Sequence, residues 1–240
     1  MSKKEKNVNV NKETFDLISK MSAIQPSITF EKNDDGILVN RANTSTTIAF
    51  RMQFPESHFN FDGDEVCILN FPEFYQMMCV LDDPKVTQVI DGNHEMFVLS
   101  KETSKIKYLV SDPESVKKGP ENIDWKDPDA VIQLTHANIK ELTKAIGLVA
   151  ADTIRFSVKN GESDLVLSVS RGPNDNTYEK VFKLASPAKS DLNLAIEAEF
   201  LLLIPDNDCH LEIDKKGLVR VAFEKNDVSV ELFTGEVEEE

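Results

Sequence analysis

The chain repeats itself, and that constrains its fold more than any other feature. Thr14, Leu17, Met21 and Ile24 have the same spacing as Ile139, Leu142, Ile146 and Val149, each pair 125 residues apart (139 − 14). Positions i, i+3, i+7 and i+10 form the apolar stripe of an amphipathic helix about three turns long. Ser27-Ile28-Thr29-Phe30 follows the first stripe and Thr153-Ile154-Arg155-Phe156 the second, at an offset one residue longer. Each begins an alternating strand that breaks at a turn, Asn33-Asp34-Asp35-Gly36 in one copy and Lys159-Asn160-Gly161-Glu162 in the other. A second strand then resumes, which is the signature of a β-hairpin. A fainter echo sets Glu73-Phe74 opposite Glu199-Phe200, Asp91-Gly92 opposite Lys216-Gly217, and Met96 and Val98 opposite Val221 and Phe223. Repetition at this offset predicts an α+β chain of two similar domains, each made of two helix-plus-strands units.

Along the chain, residues 1–10 are polar and lysine-rich and read as a loosely ordered, flexible leader. Domain 1, residues 11–112, opens with a helix over 12–23 that stops before Pro26, because proline disfavours helical geometry in the residue preceding it. Strands are expected near 27–32, 36–41, 46–53 and 64–69, then a helix over 71–81 with Pro72 in its first turn. Three more strands follow, near 85–90, 95–99 and 105–110. At residues 111–129, SDPESVKKGPENIDWKDPD, the composition turns charged and proline-rich, marking an interdomain connector whose core is 113–129. Domain 2, residues 130–234, carries a strand at 131–134, the helix and hairpin of the repeat, and strands at 178–184 and 192–195. The apolar stretch 197–203 is too short to assign by periodicity, but its place opposite 71–81 makes it a helix. Strands at 209–214, 218–224 and 228–233 precede an acidic tail, 235–240.

Composition narrows the function classes. A formal charge of −15 over 240 residues argues against a general nucleic-acid coat while leaving room for a local basic surface. Cys67, Cys79 and Cys209 are too few and scattered for a disulfide framework and show no CxxC spacing, which suits a reducing cytoplasm. No run approaches the roughly 18 apolar residues of a membrane span, and the leader lacks an apolar signal core, so no membrane role is expected. The phosphate-loop, dinucleotide, zinc-protease and serine-hydrolase motifs are all missing, so neither catalytic residues nor an enzyme is expected. His58, His94, His136 and His210 lack ligand spacing, and acidic pairs such as Asp34-Asp35 and Asp82-Asp83 sit at turns, where Asp is locally favoured. Neither a metal nor a cofactor is expected.

Two sets of residues remain. Lys12, Lys20, Lys140 and Lys144 lie off the apolar stripes of the two long helices, ordinarily just a solvated face. Ile123 and Trp125 stand out as apolar residues in a polar connector, with Leu232 and Phe233 on the final strand as further apolar candidates.

Residues 13–50 (ETFDLISKMSAIQPSITFEKNDDGILVNRANTSTTIAF), 69–86 (LNFPEFYQMMCVLDDPKV), 109–116 (LVSDPESV) and 139–169 carry a resemblance. In the order and spacing of these elements the chain resembles the sliding clamps that tether replicative DNA polymerases, those of T-even-like bacteriophages above all. It is likewise similar to clamps of the proliferating cell nuclear antigen (PCNA) type. The resemblance implies a duplicated DNA-clamp fold with helices on one face of antiparallel sheets, and a homotrimeric ring that encircles double-stranded DNA without sequence preference. It also implies partners, namely a replicative DNA polymerase and an ATP-driven clamp loader, and a bacterial host cytoplasm if the gene is phage-borne. Lys12, Lys20, Lys140 and Lys144 would then face DNA, and Ile123, Trp125, Leu232 and Phe233 would dock a short apolar partner peptide. The longer basic leader, the lengthened connector and the glutamate-rich end depart from the phage pattern. Two other readings stay open: a phage structural or assembly protein with a duplicated β-rich domain, and a monomeric processivity factor of the same fold.

Overall fold

The structure, a computed structural model, describes residues 3–237 apart from positions 93, 122, 124, 126, 172–174 and 206. The first half of the chain runs β1 (Lys4–Val8), α1 (Lys12–Met21), β2 (Ile28–Asn33), β3 (Gly36–Ala42), β4 (Ile48–Phe54), β5 (Glu65–Ile68), α2 (Phe71–Leu81), β6 (Lys85–Asp91), β7 (His94–Lys101) and β8 (Ser104–Leu109). The second half repeats this order: β9 (Ala130–Leu134), α3 (His136–Val149), β10 (Thr153–Val158), β11 (Asp164–Ser170), β12 (Thr177–Lys183), β13 (Leu192–Glu197), α4 (Glu199–Leu203), β14 (Cys209–Ile213), β15 (Leu218–Lys225) and β16 (Val228–Gly235). Pairing repeats as well. The rows β1-β6-β7-β8 and β5-β2-β3-β4 of the first half match β9-β14-β15-β16 and β13-β10-β11-β12 of the second. The fold is thus α+β and duplicated, as the stripes imply, and the short helix expected near 197–203 is α4.

Two compact units form. One takes the residues up to Asn43, Phe50–Glu121 and Glu224–Val230; the other takes Thr44–Ala49, Asn122–Phe223 and the residues from Glu231 on. Segments 44–49 and 224–230 therefore go with the unit opposite to their sequence half.

Local chemistry explains the helices. Asn11 caps α1 by accepting the Thr14 N–H at 3.0 Å. Thr135 and Asn138 cap α3 reciprocally, each side chain accepting the other's backbone N–H, which satisfies two donors that a helix start leaves orphaned. Each helix buries its stripe: Thr14, Phe15, Leu17, Ile18 and Met21 on α1, and Ile139, Leu142, Ala145 and Ile146 on α3. In the first unit the stripe meets an aromatic core. Phe15 stacks on Phe30 at 6.0 Å and meets Phe59 and Phe71 at 5.2 and 5.3 Å. In the second unit the buried residues are mainly aliphatic, with Ile154, Leu165, Leu167, Val169 and Ile196 fully excluded from solvent.

The leader differs from expectation. Residues 4–8 are not loose but form β1, antiparallel to β6 from Lys4 opposite Ile90 to Val8 opposite Val86. Lys4, Glu5 and Lys6 hid it, since charge on an outermost strand is how sheets discourage unwanted pairing. Lys6 also donates to the Phe61 carbonyl at 2.8 Å.

Candidate functional site

The four lysines occupy the outward faces of the two long helices. On α1, Lys12 is exposed in the first turn and Lys20 half-buried in the last. Eight residues at 3.6 per turn put them about 80° apart, on the side away from Ile18. On α3, Lys140 and Lys144 are exposed and about 40° apart, opposite Leu142 and Ile146. Each pair therefore shares one helix face.

The faces differ in charge. Glu13 and Asp16 stand between Lys12 and Lys20; the Asn226 side-chain amide donates to Glu13 and the Tyr75 hydroxyl to Asp16. On α3 the single acid, Glu141, is taken up by β12, where Lys180 forms an ion pair with it and the Tyr178 hydroxyl donates to its other oxygen. Those hydrogen bonds, Lys180's first, hold the Glu141 carboxyl below the usual carboxylate range. Desolvation, joined by the bond to Glu141 and its charge, pushes Tyr178 up to about 12. Among the described residues no acid pairs with Lys140 or Lys144.

The connector is strapped down at both ends. Ser111 bridges Cys67, and Val116 is buried. Lys118 Nζ sits 3.1 Å from Glu31 and 3.3 Å from Glu65. The Gly119 N–H donates to the Asn40 carbonyl at 3.1 Å, and Asn40 Nδ2 donates to the Pro120 carbonyl at 3.0 Å. The approach is too close for a side chain, because a Cβ at Gly119 would stand 2.5 Å from Asn40 Oδ1 and 2.9 Å from the Arg41 backbone. Beneath lies the fully buried Arg41, which donates to the Ser27 and Asn40 carbonyls and whose pKa burial pushes down. At the far end Asp129 accepts from the Ser190 hydroxyl at 2.7 Å and the Lys215 N–H at 3.0 Å. Desolvation opposes its ionisation, but these bonds and the charges of Lys215 and Lys189 prevail and hold its carboxyl below the ordinary range.

Ile123 and Trp125 are half-buried, and the Trp125 N–H donates to the Ile123 carbonyl at 2.7 Å. The Trp125 ring meets Phe233 edge-on at 6.4 Å and lies under the Arg220 guanidinium at 5.7 Å. Arg220 in turn is held by Glu212 at 2.9 Å and Glu231 at 2.5 Å. The expectation for β16 needs correction: Leu232 is fully buried and Phe233 only 5% exposed. Leu232 shares the inward face of β16 with Val228 and Val230, and Phe233 is the floor under Trp125, so neither presents a free surface. Of the four proposed docking residues the structure joins Trp125 to Ile123 and Phe233 and leaves Leu232 in the core. Sequence reading missed the partners on neighbouring strands, Lys180, Tyr178 and Arg220, because strand order sets them.

Two copies of one helix-plus-strands pair, each copy with the same strand order, are the architecture of the PCNA-type sliding clamps, and this chain has that fold. PCNA from Entamoeba histolytica is 12% identical over 98% of both chains, with a TM-score of 0.71. PCNA of A. fulgidus, solved with the C-terminal region of FEN-1, is 12% identical over 98% of this chain and 99% of that one, with a TM-score of 0.74. PCNA from Thermococcus kodakaraensis is 15% identical over 98% and 100%, with a TM-score of 0.72. No protein-family model matches the sequence, and no curated protein matches it.

Proposed function

We propose that this protein is a sliding clamp, a non-enzymatic processivity factor that encircles duplex DNA and tethers a replicative DNA polymerase. The observation that carries the reading is the end-to-end likeness in fold to PCNA, with lysines on the outward faces of the long helices. Weak phosphate contacts suit sliding, because they retain the duplex without fixing a sequence register. An acidic exterior adds repulsion everywhere else. In this reading residues 11–112 and 130–234 act as the two clamp domains, and residues 113–129 join them. No metal or cofactor takes part, and the work is done in the host cytoplasm.

Three copies close the ring head to tail. β8 and β12 stand at the ends of their sheet orders, and a long unprotected edge invites pairing with another chain. Each edge also carries apolar residues facing solvent. Leu109 of β8 is 68% exposed and Val80 of α2, which packs on β7 and β8, is 78% exposed. Val181 of β12 is 58% exposed and Leu148 of α3, which packs on β11 and β12, is 87% exposed. Joining β8 of one copy to β12 of the next covers all four and sets Lys105 and Lys107 near Glu179.

An ATP-driven loader opens this ring, and partners dock a short apolar peptide on the exposed parts of Ile123 and Trp125. Retention on DNA tests the reading. Loaded onto nicked circular plasmid with loader and ATP, the protein stays bound through a high-salt wash and leaves when the plasmid is cut. Equal loss from circular and linear DNA would contradict encirclement.

A further inference from the structure

The acid on α3 is the feature of the lysine-bearing face that the clamp reading does not use. Glu141 follows Lys140 and stands three residues before Lys144, a spacing at which a glutamate pairs with a lysine on its own helix. Such a pair would take Lys144 away from any phosphate. In the structure Glu141 turns instead to β12, where Lys180 and Tyr178 occupy both carboxylate oxygens. Lys180 is itself placed by packing, with its ammonium 5.6 Å above the Phe182 ring and its side chain only 22% exposed.

We propose that Lys180 is a positioning residue for DNA contact: by occupying Glu141 from the neighbouring strand, it leaves Lys144 and Lys140 free to meet phosphates. The inference rests on the clamp reading and deepens it. Lys180 acts through Glu141 and does not itself touch DNA. Without it, Glu141 swings to Lys144 and the face loses about one phosphate contact, lowering the slope of log K against log salt by roughly 0.9.

Binding of the full-length protein to a short fluorescent DNA duplex, titrated over a salt series, tests this with four variants. Lys180→Gln should bind about fivefold more weakly at low salt and show the shallower slope expected for one lost contact. Lys180→Arg should restore both. Glu141→Gln should bind at least as tightly as the unaltered protein. Lys180→Gln combined with Glu141→Gln should return to the original affinity and slope, since no acid is left to capture Lys144. Circular dichroism and trimer mass, unchanged across the set, separate these effects from unfolding. Normal binding by Lys180→Gln overturns the inference, and so does a double variant as weak as Lys180→Gln alone, which would mean that Lys180 touches DNA directly. Lys140→Glu with Lys144→Glu is the separate control: if that pair binds DNA normally, the assignment of α3 to the DNA falls, and the inference falls with it.

Discussion

The two copies of the repeat share an order of strands and helices but not their contents. Where the first unit packs α1 onto rings, Phe15 against Phe30, Phe59 and Phe71, the second fills its core with aliphatic side chains such as Leu165, Leu167 and Ile196. The outward faces differ too. α1 carries two lysines and two acids, whereas α3 carries two lysines and one acid that β12 has already taken up. A fold of this kind therefore needs only the period of the stripes and the places of the turns. Charge is free to diverge, and in the proposed reading it concentrates the attraction for DNA in the second copy.

Core truncation should produce the largest effect. Phe30→Ala should cost about 3–5 kcal/mol, and Leu167→Ala about 2–4, in denaturant melts. A smaller loss at Phe30 than at Leu167 would mean that the aromatic cluster relaxes around the gap and that the two cores are not distinct in the way described.

The charge contrast comes next in size. Lys140→Gln with Lys144→Gln should lower the salt slope of duplex binding by roughly 1.8, two phosphate contacts at about 0.9 each. Neutralising the α1 face with Lys12→Gln, Lys20→Gln, Glu13→Gln and Asp16→Asn together should leave binding nearly unchanged, since the four charges already cancel. Equal losses from the two faces would erase the comparison.

Trp125→Ala should destabilise the second unit by about 1–3 kcal/mol through lost contact with Phe233 and Arg220, seen as a lower melting temperature. If it abolishes polymerase stimulation as well, the exposed side of the ring also serves docking. The smallest effect is at Asp129. Its folded pKa lies below the unfolded value, so its contribution to stability is present above the ordinary carboxylate range and is lost as pH falls through the folded pKa. Asp129→Asn should flatten that acid limb of the stability curve while leaving Glu141, in the same unit, to titrate as before.

Much of this was legible in the sequence, for reasons that particular residues make plain. Ile139, Leu142 and Ile146 announce α3 because a helix face has a period no strand shares. Residues 197–203 were readable as a helix only through the repeat, since five residues carry no period of their own. β1 was not legible, because Lys4, Glu5 and Lys6 look like a solvated leader until β6 is beside them. Leu232 misled for a related reason. In an alternating strand, sequence separates two faces without saying which is inward, and only the neighbours of β16 decide. The Lys180–Glu141 pair joins positions 39 residues apart and depends on strand order, which no local pattern encodes.

The most direct test of the central claim, that this two-unit chain closes head to tail in three copies through β8 and β12, is its molar mass in solution by light scattering. The account predicts three times 27.0 kDa, about 81 kDa, at micromolar concentration, falling to the single-chain mass when Leu109 and Val181 are both changed to lysine. A stable 27.0 kDa species for the unaltered protein, or a trimer indifferent to those two substitutions, would contradict it.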